Sequence, residues 1–254
     1  MKLIRIRGLA ILTVFAVTAV TATVAQASEG PFYKVNGARL LEGETIEIGA
    51  KGTAETKLEA TGIVVGCKSL KLAKGAVIIG SGKGSAGTGK ETIEFEGCKL
   101  TGNGEKCILA KADKGIIATE PVKTTLDYPK KAPAKGDTLL MLFQPAAGSV
   151  FVKIKVEAEA GGKCTVSPEI AVEGSLAGET LDNNKTAIKL EEEPAEAEVG
   201  YVRFPAAATE ACTESGKVVT CKTPKLTVST KTAKLTGVLE VTITIKFKWG
   251  IFGK

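Results

Sequence analysis

The side chains able to do chemistry in this 254-residue chain are six cysteines, 28 carboxylates and 34 cations, because histidine is absent. Without an imidazole, Ser-His-Asp and Cys-His nucleophile systems are excluded, and so are His-ligated zinc hydrolases. Two chemistries stay open. One is glycoside cleavage by two carboxylates about 5–10 Å apart. The other is a Ser-Lys nucleophile pair. Asp113, Asp127 and Asp137 fall at predicted loop positions, where aspartates commonly serve as solvated turn formers. A sugar groove would also call for aromatic platforms, and residues 28–254 hold one Trp, three Tyr and seven Phe. No catalytic, cofactor-binding or metal-ligating residue is assigned on these grounds, and no cofactor is expected.

One local pattern imitates a nucleotide site. Gly84-Ser85-Ala86-Gly87-Thr88-Gly89-Lys90 fits the first seven positions of a phosphate-binding loop, but Glu91 stands where a Ser or Thr hydroxyl should reach Mg²⁺. Glu91 to Glu96 then alternates as a strand, where a helix N-terminus would be needed. The stretch reads as a hairpin loop between Ala76–Ile79 and Glu91–Glu96. Asp182-Asn183-Asn184 reads as a turn, not a calcium loop, which would need oxygen ligands at alternate positions.

The cysteines predict disulfides, since paired-ligand spacing for zinc is lacking. Cys98 and Cys107 are nine residues apart, as are Cys212 and Cys221, and each pair brackets a glycine-led turn at Gly102-Asn103 or Gly216-Lys217. Counting outward from a two-residue turn places each pair directly opposite at a non-hydrogen-bonded site, where Cα atoms approach to about 4.5 Å. That count sets Lys99 against Lys106, a mildly unfavourable match. Cys67 and Cys164 would then pair by elimination. The competing connectivity joins Cys67 to Cys98 and Cys107 to Cys164.

The elements that must hold these residues are strands. Val152, Ile154, Val156 and Ala158 alternate with Lys153, Lys155, Glu157 and Glu159. Val241, Ile243, Ile245, Phe247 and Trp249 alternate with Thr242, Thr244, Lys246 and Lys248. A period of two with one apolar face is the mark of an antiparallel sheet wetted on one side. Shorter runs at Thr45–Ile48, Gly62–Val65, Ala76–Ile79, Glu91–Glu96, Thr138–Phe143 and Val218–Cys221 behave alike. Turn residues separate them at the spacing of a β-sandwich or barrel. Five glutamates around Pro194, from Glu191 to Glu198, read as a linker or exposed loop, so a boundary is drawn near Gly200. The basic segment 201–254 either forms a second unit or adds strands to the domain of residues 28–200.

Residues 1–27 carry the signature of an export signal. Lys2, Arg5 and Arg7 precede a 17-residue apolar stretch, and Ala25-Gln26-Ala27 offers a small-x-small cleavage site. Such a stretch is at the short limit for a membrane anchor, and no transmembrane span is expected once it is removed. Of the net charge of +6, residues 201–254 account for 9 cations against 3 acids. Scattered charge with few aromatics argues against nucleic acid as a partner. It is compatible with a cell-wall or extracellular polymer, met by exposed lysines such as Lys153/Lys155 and Lys246/Lys248. An outer-membrane barrel is disfavoured by those same lysines and by the scarcity of aromatics for interface girdles.

Cys67, a glycine-rich stretch, Thr92-Ile93-Glu94-Phe95-Glu96-Gly97-Cys98, Cys107 and Cys164 together resemble a family of secreted proteins of unknown function from soil actinobacteria. The resemblance spans residues 55–185 and implies export, β structure and disulfides, with no activity attached. The expectation is an all-β protein, an antiparallel β-sandwich or barrel-like fold stapled by Cys67, Cys98, Cys107, Cys164, Cys212 and Cys221, after an N-terminal signal helix. Its expected role is that of an exported structural or surface-binding protein of the cell envelope. A secreted carboxylate-type glycoside hydrolase is the alternative.

Overall fold

A computed structural model describes residues 30–52, 54–60, 62–101, 107–110, 115–164, 166–182, 185, 187–188, 198–204, 210–215, 218–244 and 248–253. The expected signal (1–27), Asp113, the turns at 102–103 and 216–217, Asn183, Asn184, Lys246 and most of the glutamate-rich stretch lie outside them. The described residues contain no helix. The fold is all-β, and it is a closed eight-stranded antiparallel barrel.

Eight columns of strand build the barrel in two storeys. The upper ring runs through β3 (Thr45–Gly52), β7 (Val77–Ile79), β8 (Thr88–Glu91), β13 (Val122–Asp127), β14 (Leu140–Pro145), β17 (Leu176–Leu181), β18 (Val199–Phe204) and β22 (Lys231–Ile243). It closes where β22 pairs with β3. The lower ring continues the same columns. It runs through β4 (Thr56–Ala60), β5 (Ile63–Cys67), β9 (Ile93–Glu96) with β10 (Lys99–Thr101), and β11 (Cys107–Leu109) with β12 (Ile117–Ala118). From there β15 (Val150–Ala158), β16 (Glu169–Gly174) and β21 (Leu226–Val228) return it to β22. β6 (Ser69–Leu72) lies between the storeys, against β3 on one side and β9 on the other.

β22 is 13 residues long and belongs to both rings, so this strand of the basic segment completes the same barrel, and β18 runs straight through Gly200. Most other columns break at the waist. Gly174, at φ 108°, sits where an added Cβ would overlap the Lys225 carbonyl, so only glycine lets β16 pass into the next strand there.

Alternation decides what goes inside. Val152, Ile154 and Val156 are buried while Lys153 and Lys155 are exposed, as expected. An eight-stranded barrel is just wide enough for side chains to fill it, and apolar residues of both storeys merge into one core. Apolar inside and charged outside is the reverse of a membrane-spanning barrel. Among the described residues no helix is long and apolar enough to cross a membrane.

Two additions cover what the rings leave open. β1 (Phe32–Val35), β2 (Ala38–Arg39) and β23 (Trp249–Phe252) form a three-stranded cap that sends Tyr33 and Trp249 into the upper storey. The hairpin β19 (Ala211–Ser215) and β20 (Val218–Lys222) lies over the outside of the wall, where Ala211 clusters with Leu140, Leu142 and Ala177. This cover explains β14. Leu139 to Phe143 are all buried, because Met141 and Phe143 face the interior while Leu140 and Leu142 lie beneath the hairpin.

Three expectations need correction. The disulfides are Cys67–Cys98, Cys107–Cys164 and Cys212–Cys221, so the competing connectivity holds for the first four cysteines. Cys98 meets a different neighbour across the sheet, its N–H donating to the Gly115 carbonyl at 3.0 Å, and its sulfur bonds Cys67 while that of Cys107 bonds Cys164. The Cys212–Cys221 hairpin has the expected register, with the two cysteines directly opposite. The final alternating run is not one strand: β22 starts at Lys231 and ends at Ile243, and Trp249 belongs to the cap. Within Thr138–Phe143, Leu139 to Phe143 are buried on both faces and do not alternate.

Candidate functional site

Side chains that could move protons are drawn inward. β8 carries Glu91 on the parity of Ile93 and Phe95, both buried, so a carboxyl enters the apolar interior of the upper storey. β13 presents Thr124 beside it, and the Thr124 hydroxyl donates to Glu91 Oε2 at 3.3 Å. From the cap, β1 adds Tyr33 and β23 adds Trp249. These four residues share a cavity of about 20 Å³ with Met141, Phe143 and other apolar side chains.

The electrostatics follow from the burial. Removal from water pushes the Glu91 carboxyl up to about 8, against the opposing hydrogen bond from Thr124. The Tyr33 phenol is pushed up as well, first by burial and then by the charge on Glu91. Glu91 Oε1, Tyr33 Oη and Trp249 Nε1 have no protein partner. A cavity of this volume admits about one water molecule, and three orphaned polar groups are enough to hold one. At neutral pH the cluster stores a proton in a space too small for a sugar ring.

The second buried acid is Asp127, at the end of β13. It is fully buried and not in a loop, because the stapled hairpin closes over it. Thr213 Oγ1 donates to Asp127 Oδ1 at 2.8 Å, and the backbones of Tyr128 and Cys212 exchange hydrogen bonds of 2.7 and 3.0 Å. Burial raises the Asp127 carboxyl to about 7, with Thr213 opposing. Its Oδ2 has no partner. Asp137 is employed differently: its Oδ2 accepts from the Ala134 N–H at 2.7 Å and faces Lys130 at 3.0 Å. The loop acids thus separate into a buried hairpin anchor and a turn former.

The glycines of the phosphate-loop imitation also have a packing role. A Cβ at Gly87 would strike the Tyr33 ring, and one at Gly89 would strike the Thr124 hydroxyl. β8 needs them so that the cap and β13 can approach. Glu91 was legible in principle, as an acid on the apolar parity of a strand. Asp127 had no such signal, since its cover comes from a hairpin 85 residues away in sequence.

The lower storey has little polar chemistry. Its cavity, also about 20 Å³, is lined by Val65, Cys67, Phe95, Phe151, Ile154 and similar side chains, and Thr56 Oγ1 is buried there without a partner. Glu210 lies near Cys212 and Cys221, but the two sulfurs are bonded to each other and cannot serve as thiolate ligands. On the outer wall, Lys153 is 3.6 Å from Glu169, so the best exposed lysine candidate is already ion-paired. No family model, curated protein or solved structure matches this chain.

Proposed function

We propose that this protein works outside the cytoplasm as an exported structural or surface-binding barrel, associated with the cell envelope and carrying anionic polymer on its outer wall. The observation that carries the reading is that the described side chains pack the barrel interior into one continuous core. The upper-storey and lower-storey cavities described above have room for about a water molecule each, so the outer face is what the barrel offers to a partner. Three disulfides with no free cysteine suit an oxidising compartment. The resemblance to secreted actinobacterial proteins, and the signal pattern of residues 1–27, point the same way. A carboxylate-type hydrolase would need two acids facing an open groove, whereas Glu91 lines an internal cavity and Asp127 lies beneath a hairpin.

Purified protein should co-sediment with cell-wall material at low salt and be released as ionic strength rises through physiological values. Absence of binding, or binding indifferent to salt, overturns the reading.

A further inference from the structure

Two rows of the outer wall place lysines directly opposite one another, and their surroundings differ. In the first, Lys51 of β3 faces Lys71 of β6. The next residue on one side is Glu240, paired in register with Lys51, and on the other Glu94, paired with Lys71. The contacts match the register: Lys51 Nζ is 3.3 Å from Glu240, and Lys71 Nζ is 3.3 Å from Glu94 and 2.7 Å from Glu96. Repulsion across that row is neutralised within the molecule.

In the second row Lys90 of β8 faces Lys123 of β13. The Leu126 N–H donates to the Gly87 carbonyl, so in this register Lys90 and Lys123 meet at a non-hydrogen-bonded position, the closer kind, with Cα atoms about 4.5 Å apart. The flanking residues are Gln144 beyond Lys123 and Val77 beyond Lys90. The next outward pair along these strands is Thr88 and Thr125. Both lysines are exposed, and none of the side chains adjoining them in this register is a carboxylate. The nearest acid in the row is Glu47, one strand beyond Val77. Like charges directly opposite on a sheet are destabilising, and here no described neighbour in register offsets them.

We propose that the Lys90/Lys123 row, with Gln144 beside it, is the place where the outer wall meets an extended anionic polymer. This rests on the surface-binding reading above and names the site for it. The charge points to an anion, and the geometry to a polymer. The row lies on the exposed face of the wall, where a single small anion would be weakly held in water. A polyanion spans several such positions and gains by releasing its counterions. The lysine left over from the phosphate-loop imitation thus has a role on the outer face, with no nucleotide involved.

The test compares wild type, Lys90→Gln/Lys123→Gln and Lys153→Gln in titrations with long-chain polyphosphate, and in co-sedimentation with cell-wall material. The double variant should bind polyphosphate roughly 10- to 100-fold more weakly at 50 mM salt, with a salt dependence flattened by about 0.7 per lysine. Its melting temperature should be unchanged or higher, because a repulsion has been removed. Lys153→Gln should bind like wild type, and Lys90→Arg/Lys123→Arg should retain binding. If wild type binds both materials and the double variant binds them equally well, this site is wrong while the surface-binding reading stands. If wild type binds wall material but prefers polyphosphate no more than inorganic phosphate, the polymer is wrong. If wild type binds neither material, both readings fall.

Discussion

The two storeys share their columns, yet they are held by different means. The lower ring is apolar within and stapled at its wall by Cys67–Cys98 and Cys107–Cys164. The upper ring has neither of those bridges. It is closed by the cap and the overlying hairpin, and it hides two carboxyls that burial makes weaker acids. A sulfur bridge raises the free energy of the unfolded chain and is indifferent to pH once formed. A buried carboxyl costs more to keep folded as its unfolded counterpart ionises. The lower storey should therefore answer to reductant and the upper to pH.

The largest effect expected is on the lower storey. In the loop-entropy model, removing Cys107–Cys164 or Cys67–Cys98 costs about 4 kcal/mol each, against about 2.6 kcal/mol for the nine-residue Cys212–Cys221 loop. Denaturant melts of the three double Cys→Ser variants should rank in that order. An equal loss from the short hairpin staple would break the contrast, placing strain or packing above chain entropy.

The upper storey should lose stability with alkali. Glu91 titrates near 8 when folded and near the ordinary glutamate value when unfolded, so the folded state holds the extra proton between those values. Stability from this group is full below about pH 4.3, declines as pH rises, and levels off above about pH 8. Glu91→Gln should flatten that decline and exceed wild type by on the order of a few kcal/mol at pH 9. Urea unfolding from pH 4 to pH 9 reads the difference directly. A wild-type profile that is flat, or that rises with pH, would mean the carboxyl is solvated. Asp127→Asn should act in the same direction with a smaller amplitude and an earlier plateau, near pH 7. Hydrogen exchange at Tyr128 and Cys212 would report it locally.

The smallest change sharpens the contrast from below. Thr56→Val removes the lone unpartnered hydroxyl of the apolar cavity at nearly constant volume. It should raise stability by about 1 kcal/mol at every pH. A loss instead would point to a water bound to that hydroxyl.

Much of the wall was legible in the residues. Val152/Ile154/Val156 against Lys153/Lys155 gave a strand and its inward face, and the turn between Cys212 and Cys221 gave a register that holds. Glu91 was readable by parity alone. The failures share a cause. Cys98–Cys107 looked like a bonded pair because both cysteines flank a glycine turn, but strand register is chosen by all neighbours at once, and it sets Cys98 against Gly115 and its sulfur against that of Cys67. Thr138–Phe143 looked one-faced because its cover, the β19–β20 hairpin, lies some 70 residues further along.

Taken alone, the order of residues determined an all-β protein, its alternating faces, its disulfide chemistry and the exclusion of imidazole catalysis. Those properties are local: each depends on a side chain and its near neighbours along the strand. The tertiary structure decided that the strands close into a ring, which cysteines meet, which acids lose their water, and which lysines stand opposed without a counter-charge. Each of these depends on which strand lies beside which. That choice is made by the summed burial and pairing of the whole barrel, and no single segment carries it.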